Sequence, residues 1–445
     1  LKNSMNQGAV CYVSEKKYEL EKEVPYILVK GIRDAMAVLA NFFYNKPWED
    51  LAVIGFGGTK GKSTSTYYMK AVVDDYLAAQ DKPESAVIST IDIYDGKSKV
   101  ESHITTPEAV ELQMHLRNAL DCNIEYAEME ISSQALKYGR VDEMQFDVSV
   151  FLNISEDHIS PIEHPDFEDY FQSKMKMFEK SKTAVVNLDA DYIDQILEAS
   201  KAAGEVVTFS TKNPEADYYA YNIHKEGKDI HFSVKCEAFD EEFVLTMPGF
   251  FNVENALGVV AASVKLGIPT EYIHSGLRRA RSSGRMEFYH SKDHEIMAIV
   301  DYAHNKLSFE KLFSAMKEEF PDYSLVAIFG CPGKKSLLRR KYLGTIAGQY
   351  SKMVYLVAED PGYEPVEDIS KEIAQYVEAQ KCPYKMIEDR GEAIKDAIET
   401  AEGKTLLLVT GKGAETRQKY GCEYLDCPSD VEYVQRYLAE YDSRH

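Results

Sequence analysis

Residues Leu51-Ala-Val-Ile-Gly-Phe-Gly-Gly-Thr-Lys-Gly-Lys-Ser-Thr64 decide how the chain reads. A short apolar strand runs into a glycine-rich turn, and Lys-Ser-Thr then opens a helix. Gly55, Gly57, Gly58 and Gly61 let the backbone curl so that several N–H groups face a phosphate. The helix that follows places its positive end behind them. Lys62 supplies a point charge for β- and γ-phosphates, and the Ser63 hydroxyl suits Mg²⁺. The general phosphate-loop pattern has four residues between its first glycine and Gly-Lys. Here five separate Gly55 from Gly61, so that pattern is missed by one. A glycine-rich β–α turn that binds nothing is the plainer reading. Gly-Lys-Ser-Thr in a strand–loop–helix setting favours phosphate.

Beyond this loop the chain continues as alternating strands and helices. Tyr126-Ala-Glu-Met-Glu-Ile131, Asp147-Val-Ser-Val-Phe-Leu152 and Thr183-Ala-Val-Val-Asn187 read as buried strands that end in polar residues. In open α/β sheets ligands sit at such carboxyl ends. A helix is expected from the loop to about Leu77, and another from Asn252 to Leu266, stopped by Gly267-Ile-Pro269. Residues 205–247 read as a β-rich excursion. Upstream, Ala9–Val13 and Tyr26–Val29 are extended and Ile32–Tyr44 is helical, which suits the tail end of a small α/β unit over 1–47. A boundary falls near Ser282-Ser-Gly-Arg285. Past it, strands at 296–301, 324–329, 353–358 and 404–409 alternate with helices at about 306–319, 338–350, 365–380 and 390–401, a second doubly wound unit. The expected division is therefore 1–47, 48–283 and 284–445.

The chain has 445 residues, enough for two or three domains with cores of their own. Its 44% hydrophobic and 28% charged content suits a globular chain. No apolar run approaches the ~20 residues of a membrane span. The net charge of −22 disfavours nucleic acid and acidic membrane surfaces as partners. Any bound phosphate must therefore draw on Lys62, helix dipoles and Mg²⁺ against the global field. The seven cysteines show no metal-ligand spacing, and a reduced cytoplasmic setting is expected.

Further stretches carry chemistry. Thr105-Thr-Pro-Glu108 places two hydroxyls before a proline-started helix, which alone reads as an N-cap. Glu130-Ile-Ser-Ser133 puts a carboxylate at a strand end beside the glycine loop, where it can hold Mg²⁺ or be an ordinary strand-end acid. Asn153-Ile-Ser-Glu-Asp-His158 follows another buried strand, so Asp157 and His158 share that sheet edge. Phe167-Glu-Asp-Tyr-Phe-Gln-Ser-Lys174 is a helix whose aromatic positions form an apolar face and whose lysine suits a phosphate site. In the second unit, Asp301-Tyr-Ala-His304, Gly330-Cys-Pro-Gly333 with Lys334, Lys335, Arg339 and Arg340, and Gly411-Lys-Gly-Ala-Glu415 each follow a strand. The basic cluster favours an anion. Two such sheet edges facing each other would make a cleft between domains.

Taken together these motifs resemble the Mur ligases, and within them the UDP-N-acetylmuramoyl-tripeptide synthetases. Gly58–Thr64 matches the family's G-T-x-G-K-[ST]-[ST], which accounts for the imperfect spacing. Thr105-Thr-Pro, Glu130-Ile-Ser-Ser, Gly139-Arg140, Asn153 with Asp157-His158, Lys174, Gly249, Asn252 and Asn255, Gly284-Arg-Met-Glu287, Asp301-Tyr-Ala-His304, Phe329-Gly-Cys331, Asp389-Arg390 and Gly411-Lys-Gly413 follow in the family's order. The resemblance implies an α/β, multi-domain architecture with a central P-loop ATPase-like doubly wound sheet, a C-terminal Rossmann-like domain and a partial N-terminal α/β domain. Most of the uridine-binding N-terminal domain then precedes residue 1 or is absent. It implies ATP phosphates held by Gly58, Thr59, Gly61, Lys62, Ser63 and Thr64, with Asn252, Asn255, Arg285, Asp301 and His304 toward the adenosine. It implies Mg²⁺, expected as two ions, at Ser63, Glu130, His158 and a carbamylated Lys174. A carbamate turns a cation into an anion fit for a metal. Thr105, Thr106, Ser132 and Arg140 would contact the UDP-MurNAc-dipeptide. Catalysis would rest on Lys62, Glu130, His158 and Lys174, in a protein of peptidoglycan synthesis expected to be monomeric.

The reaction so implied is amide formation through an acyl phosphate, joining an amino acid to UDP-MurNAc-L-Ala-D-Glu. Three departures bear on the amino acid. The family's Gly-Gly-Asp-Arg-Asp is here Pro332-Gly-Lys-Lys-Ser336, so Lys335 replaces an arginine. The Asp-Asn-Pro-Arg of enzymes that add diaminopimelate is here Glu359-Asp-Pro-Gly362, without the arginine for the second carboxylate. Gly-Lys-Gly-His-Glu is here Gly411-Lys-Gly-Ala-Glu415. Glu359 and Asp360 would suit a cationic side chain such as L-lysine or ornithine, and Glu415 the amine. Two alternatives stand beside this reading: a paralogue joining an amino acid to another carboxylate, and a non-catalytic nucleotide-binding scaffold. Lys62, Glu130, His158 and Lys174 together argue against the scaffold.

Overall fold

The structure is a computed structural model that describes residues 1–20, 23–156, 159, 163–227, 229–281, 284–334 and 337–445. Asp157, His158, Lys335 and Ser336 of the sequence reading lie outside the described residues. Among the described residues the larger sheet has eleven strands. The strand Ala52–Gly57 sits inside it, parallel to Tyr126–Glu130 on one side and Phe146–Phe151 on the other. From Val53 to Gly57 it is buried throughout, as expected of a strand covered on both faces. Past Phe146–Phe151 the sheet continues in parallel through Ser181–Asn187 and Glu205–Ser210. Tyr218–Glu226 follows in parallel, and Asp229–Lys235 and Asp240–Leu245 then run antiparallel. The excursion over 205–247 is thus no separate unit; it extends the same sheet. On the other side Ala86–Ile88 is parallel, and Asp92–Tyr94 with Lys99–Glu101 forms an antiparallel flap that sequence patterning did not reveal.

The second sheet has six strands among the described residues. Its order is Glu287–His290, Ile296–Asp301, Thr405–Thr410, Ser324–Phe329, Met353–Leu356 and Tyr384–Met386, parallel except for the first. The helices expected here are found at Lys306–Glu319, Leu338–Tyr350, Val366–Ala379 and Arg390–Glu399. A hairpin, Arg417–Tyr420 with Glu423–Asp426, and a last helix, Asp430–Asp442, close the chain. Near the start, Tyr12–Ser14 pairs in parallel with Tyr26–Leu28, and the helix Ile32–Phe43 follows. That helix exposes Phe42 and Phe43. A continuous apolar core joins the helices Lys62–Ala78 and Phe251–Lys265 to the second sheet through residues such as Met286, Ile299 and Phe309. No described helix is long and apolar enough to cross a membrane.

Candidate active site

The helix Lys62–Ala78 begins at Gly61, whose φ of +85° lies in the left-handed region, and no side chain caps it. Its first N–H groups therefore stay available to an anion. Side chains from neighbouring segments brace the loop. Asn153 accepts the Lys60 N–H on its Oδ1 at 2.9 Å and donates through Nδ2 to the Lys60 carbonyl at 3.1 Å. Thr59 N–H donates to the Asn153 carbonyl at 3.0 Å. The Thr59 and Tyr170 hydroxyls lie 2.9 Å apart. A Cβ on Gly61 would come to 2.2 Å from Asn255 Oδ1, so the close approach of the helix Phe251–Lys265 also requires glycine there.

Two lysines converge on one carbonyl. Lys62 Nζ donates to Gly58 O at 3.1 Å and to Thr59 O at 3.3 Å. Lys174 Nζ, buried on the helix Phe167–Glu179, donates to Gly58 O at 2.8 Å and lies over the Tyr170 ring. Beneath the loop, Ser63 Oγ donates to Glu130 Oε1 at 2.8 Å. Glu130 is buried at the end of its strand and also accepts the Thr90 N–H at 2.8 Å and the Thr90 hydroxyl at 3.1 Å. Thr90 was missed from sequence, although it too follows a buried strand, Ala86–Ile88. A serine hydroxyl and a carboxylate make a hard oxygen donor set, which fits Mg²⁺.

The pair Thr105–Thr106 does not cap the next helix. Its N-cap is Glu108, without a side-chain bond. Thr106 is fully buried; its hydroxyl donates to the Glu130 carbonyl at 2.9 Å, and its Oγ1 lies 3.2 Å from Ser132 Oγ. The hydroxyl oxygens of Thr90 and Thr105 lie 3.2 Å apart. Ser132 caps the short helix Ser133–Lys137 by accepting the Ala135 N–H. Arg140 donates to the Thr106 carbonyl at 3.0 Å and pairs with Glu108 at 2.8 Å. These four therefore form one bonded wall next to Glu130.

The second sheet completes the cleft. Arg285 reaches across to donate to Ser63 Oγ at 3.2 Å and stacks 4.5 Å from the Tyr302 ring. The buried Asp301 accepts the N–H groups of Met286 at 2.9 Å and Ala303 at 2.7 Å. Burial pushes its carboxyl above the ordinary range, against the pull of Arg285. A cavity here is lined by Lys60, Gly61, Thr64, Asn252, Asn255, Arg285 and Asp301. His304 does not line it; its Nδ1–H donates to the Tyr302 carbonyl at 2.7 Å.

Farther along the same edge, Asp360 accepts Lys412 Nζ at 3.1 Å and the Lys419 N–H at 2.9 Å, and Lys412 also pairs with Glu415. Asp360 is thus already matched with a cation. Glu359 is buried, and desolvation raises it to about 7 despite Arg390 and Lys412. A Cβ on Gly411 would lie 2.2 Å from Glu359 Oε2, so that glycine makes room for the carboxylate. Arg340, expected in an anion-binding cluster, turns out to bind protein, and so does Arg390. Arg340 is held by Glu364 and Glu372 at 2.8 and 2.5 Å. Arg390 is held by Asp430 at 2.6 Å and donates to the Thr410 carbonyl at 2.9 Å.

Comparison with known proteins agrees with this arrangement. Residues 57–263 match the Mur ligase middle domain, and residues 284–413 match the Mur ligase glutamate ligase domain. A UDP-N-acetylmuramyl-tripeptide synthetase of Lactobacillus acidophilus is 31% identical, covering 100% of this chain and 88% of its own length. An Enterococcus faecalis relative named as an L-lysine ligase is 36% identical over 94% of this chain and 82% of its own. A Clostridioides difficile relative named as a 2,6-diaminopimelate ligase is 33% identical over 95% and 85%. Among solved structures, a folylpolyglutamate synthase of Mycobacterium tuberculosis shares the fold at a TM-score of 0.66 and 14% identity, covering 85% of this chain and 92% of that one. With both family domains matched in order and relatives of this identity aligned along nearly its whole length, the chain belongs to the Mur ligases, a family of ATP-dependent, amide-forming ligases.

Proposed function

We propose that this Mur ligase joins an amino acid to a D-glutamate carboxylate of UDP-MurNAc-L-Ala-D-Glu, with a basic amino acid such as L-lysine or ornithine as the preferred donor. The observation that supports the reaction best is the convergence of Lys62, Lys174 and the Ser63–Glu130 pair on the glycine loop, with Arg285 of the second sheet bonded to the same serine. In this reading residues 48–283 hold ATP, residues 284–445 bring the amino acid, and residues 1–47 belong to the uridine-binding part. Mg²⁺, when bound, neutralises crowded phosphate charge and polarises the transferred phosphoryl group. Ser63 and Glu130 would hold it, together with His158 and a carbamylated Lys174. The N–H of a carbamate still donates, so the bond from Lys174 to Gly58 O is compatible with the modification.

Lys62 turns from the Gly58 and Thr59 carbonyls to the phosphates. Asn252, Asn255 and Asp301 position the nucleoside. The bonded wall of Thr105, Thr106, Ser132 and Arg140 orients the acceptor carboxylate. One carboxylate oxygen bonds to the γ-phosphorus as its bond to the β-phosphate oxygen breaks, and ADP leaves. The amine nitrogen then bonds to the acyl carbon and gives up its proton, and phosphate departs with the C–O bond. Alignment and charge neutralisation supply most of the rate, because no difficult proton abstraction is needed.

The preference for a basic donor rests on Glu359 and on Gly362 standing where a diaminopimelate enzyme carries arginine. The names of the relatives divide between the two amino acids. Phosphate release from ATP with the UDP-MurNAc-dipeptide, measured over lysine, ornithine and meso-diaminopimelate, tests both levels. Release with lysine or ornithine is expected. Silence with every amino acid overturns the substrate assignment; preference for diaminopimelate overturns only the specificity. Lys174→Ala should abolish turnover and regain part of it with added formate or acetate. Full activity in that variant rules out the carbamate.

A further inference from the structure

The outer edge of the larger sheet carries a second cluster of metal-ligating side chains, on strands remote in sequence from the phosphate loop. Three antiparallel strands meet there: Tyr218–Glu226, Asp229–Lys235 and Asp240–Leu245. The first contains a bulge between Tyr221 and His224, with Asn222 at φ +50°. Before the bulge Tyr219 and Tyr221 face Lys235 and Ser233. Without it, side-chain alternation would place Ile223 and Lys225 on the outer face. The extra residue changes the parity. Ile223 packs against the core, and His224 comes out directly opposite His231.

The two imidazole rings stack with centroids 5.5 Å apart and planes inclined by 30°. Glu242 of the third strand brings Oε1 to 3.1 Å from His231 Nδ1, and Glu226 lies 3.7 Å from His231 Nε2. His224 Nδ1–H donates to the Asn222 carbonyl at 2.9 Å, which fixes the tautomer and leaves Nε2 with its lone pair outward. Among the described residues, one ligand atom from each of His224, His231 and Glu242 falls within 4.8 Å of the others. Ligands ~2.0–2.1 Å from a tetrahedral zinc ion are roughly 3.4 Å apart. Shifts of about an ångström in half-exposed and exposed side chains would close the difference.

We propose that His224, His231 and Glu242 bind one divalent transition-metal ion, Zn²⁺ foremost, with water or Glu226 in the fourth position. Two imidazoles and a carboxylate favour zinc over the oxygen-seeking Mg²⁺. The ion would staple three strands at an open sheet edge. It would also steady Lys225, whose ammonium pairs with Glu319 of the helix Lys306–Glu319 at 3.1 Å and so links the two sheets.

The test is a titration of chelator-stripped protein with Co²⁺ and then Zn²⁺, in millimolar Mg²⁺ to occupy oxygen-ligand sites. One equivalent of Co²⁺ should give a tetrahedral d–d band without a thiolate charge-transfer band, and Zn²⁺ should displace it. His224→Ala and His231→Ala should each weaken binding about tenfold or more, and Glu242→Gln less, with the fold intact by circular dichroism. Unchanged affinity in both histidine variants, a thiolate band, or no binding by about 100 µM metal overturns the proposal.

Discussion

Glu359 and Glu128 show how one physical cause, burial, serves different ends. Desolvation raises Glu359 to about 7, so its negative charge is present above that pH and is lost below it. If this carboxylate receives the cationic side chain of the donor, KM for lysine should fall between pH 6 and pH 8. Glu359→Gln should remove that trend and raise KM about tenfold while kcat stays within about twofold. An unchanged KM would sink the assignment. Glu128 lies mid-strand in Tyr126–Glu130, fully buried, with neither carboxylate oxygen hydrogen-bonded among the described residues. Burial raises it to about 8; Lys70 pulls the other way. Between its unfolded value near 4.5 and about 8 the folded state holds a proton that the unfolded state has released, so stability declines as pH rises through that window. At ~1.4 kcal/mol per unit the decline from pH 6 to pH 8 is about 2 kcal/mol. Glu128→Gln should flatten it. Urea midpoints at the two pH values decide, and parallel declines in the two proteins would contradict the account.

At the scale of elements, the strand–loop–helix of residues 52–78 depends on Gly61 twice over, through its positive φ and through the 2.2 Å that a Cβ would leave to Asn255. Strain of about 1–3 kcal/mol follows from forcing a side chain there. Gly61→Ala should therefore weaken ATP binding some 5- to 150-fold, read as ADP affinity by calorimetry, with secondary structure retained. Wild-type affinity would mean that the loop adapts. This element was legible in the sequence because glycine spacing and Lys-Ser-Thr are local signals. So were the strands whose apolar runs end in Glu130 and Asp301. What stayed hidden is long-range. Thr106 donates to a carbonyl 24 residues away, and Arg390 closes on Asp430 across 40 residues. No spacing rule reports such pairs, so a side chain binding protein looks the same as one awaiting ligand. The flap Asp92–Glu101 was missed because its strands are three residues each, too short for alternation to register.

For the whole molecule, the unequal charge matters most. A chain of net charge −22 gathers Lys60, Lys62, Lys174 and Arg285 at one cleft between two sheets. The sheets are joined there by Arg285 and, on the far side of the cleft, by the hairpin that begins at Arg417. Arg417 donates to the Ser102 carbonyl at 2.7 Å and lies 3.7 Å from Glu101, to which the Thr416 hydroxyl donates at 2.9 Å. Its polar partners, Glu101, Ser102 and His103, lie at the end of the flap beside Thr90, which itself bonds Glu130. Docking of the hairpin therefore sets the distance between the amino-acid side of the cleft and the phosphate loop. A charge-assisted bond of this kind contributes about 1.5–3 kcal/mol, enough to decide whether the cleft is mostly closed. Arg417→Ala should open it: the radius of gyration from solution scattering rises, and kcat/KM for the amino acid falls about tenfold or more. Affinity for ADP, which depends on the loop and on Asn252 and Asn255, should hold. If scattering and kcat/KM both match the wild type, closure does not depend on this hairpin, and the burden passes to Arg285 and the other contacts between the sheets.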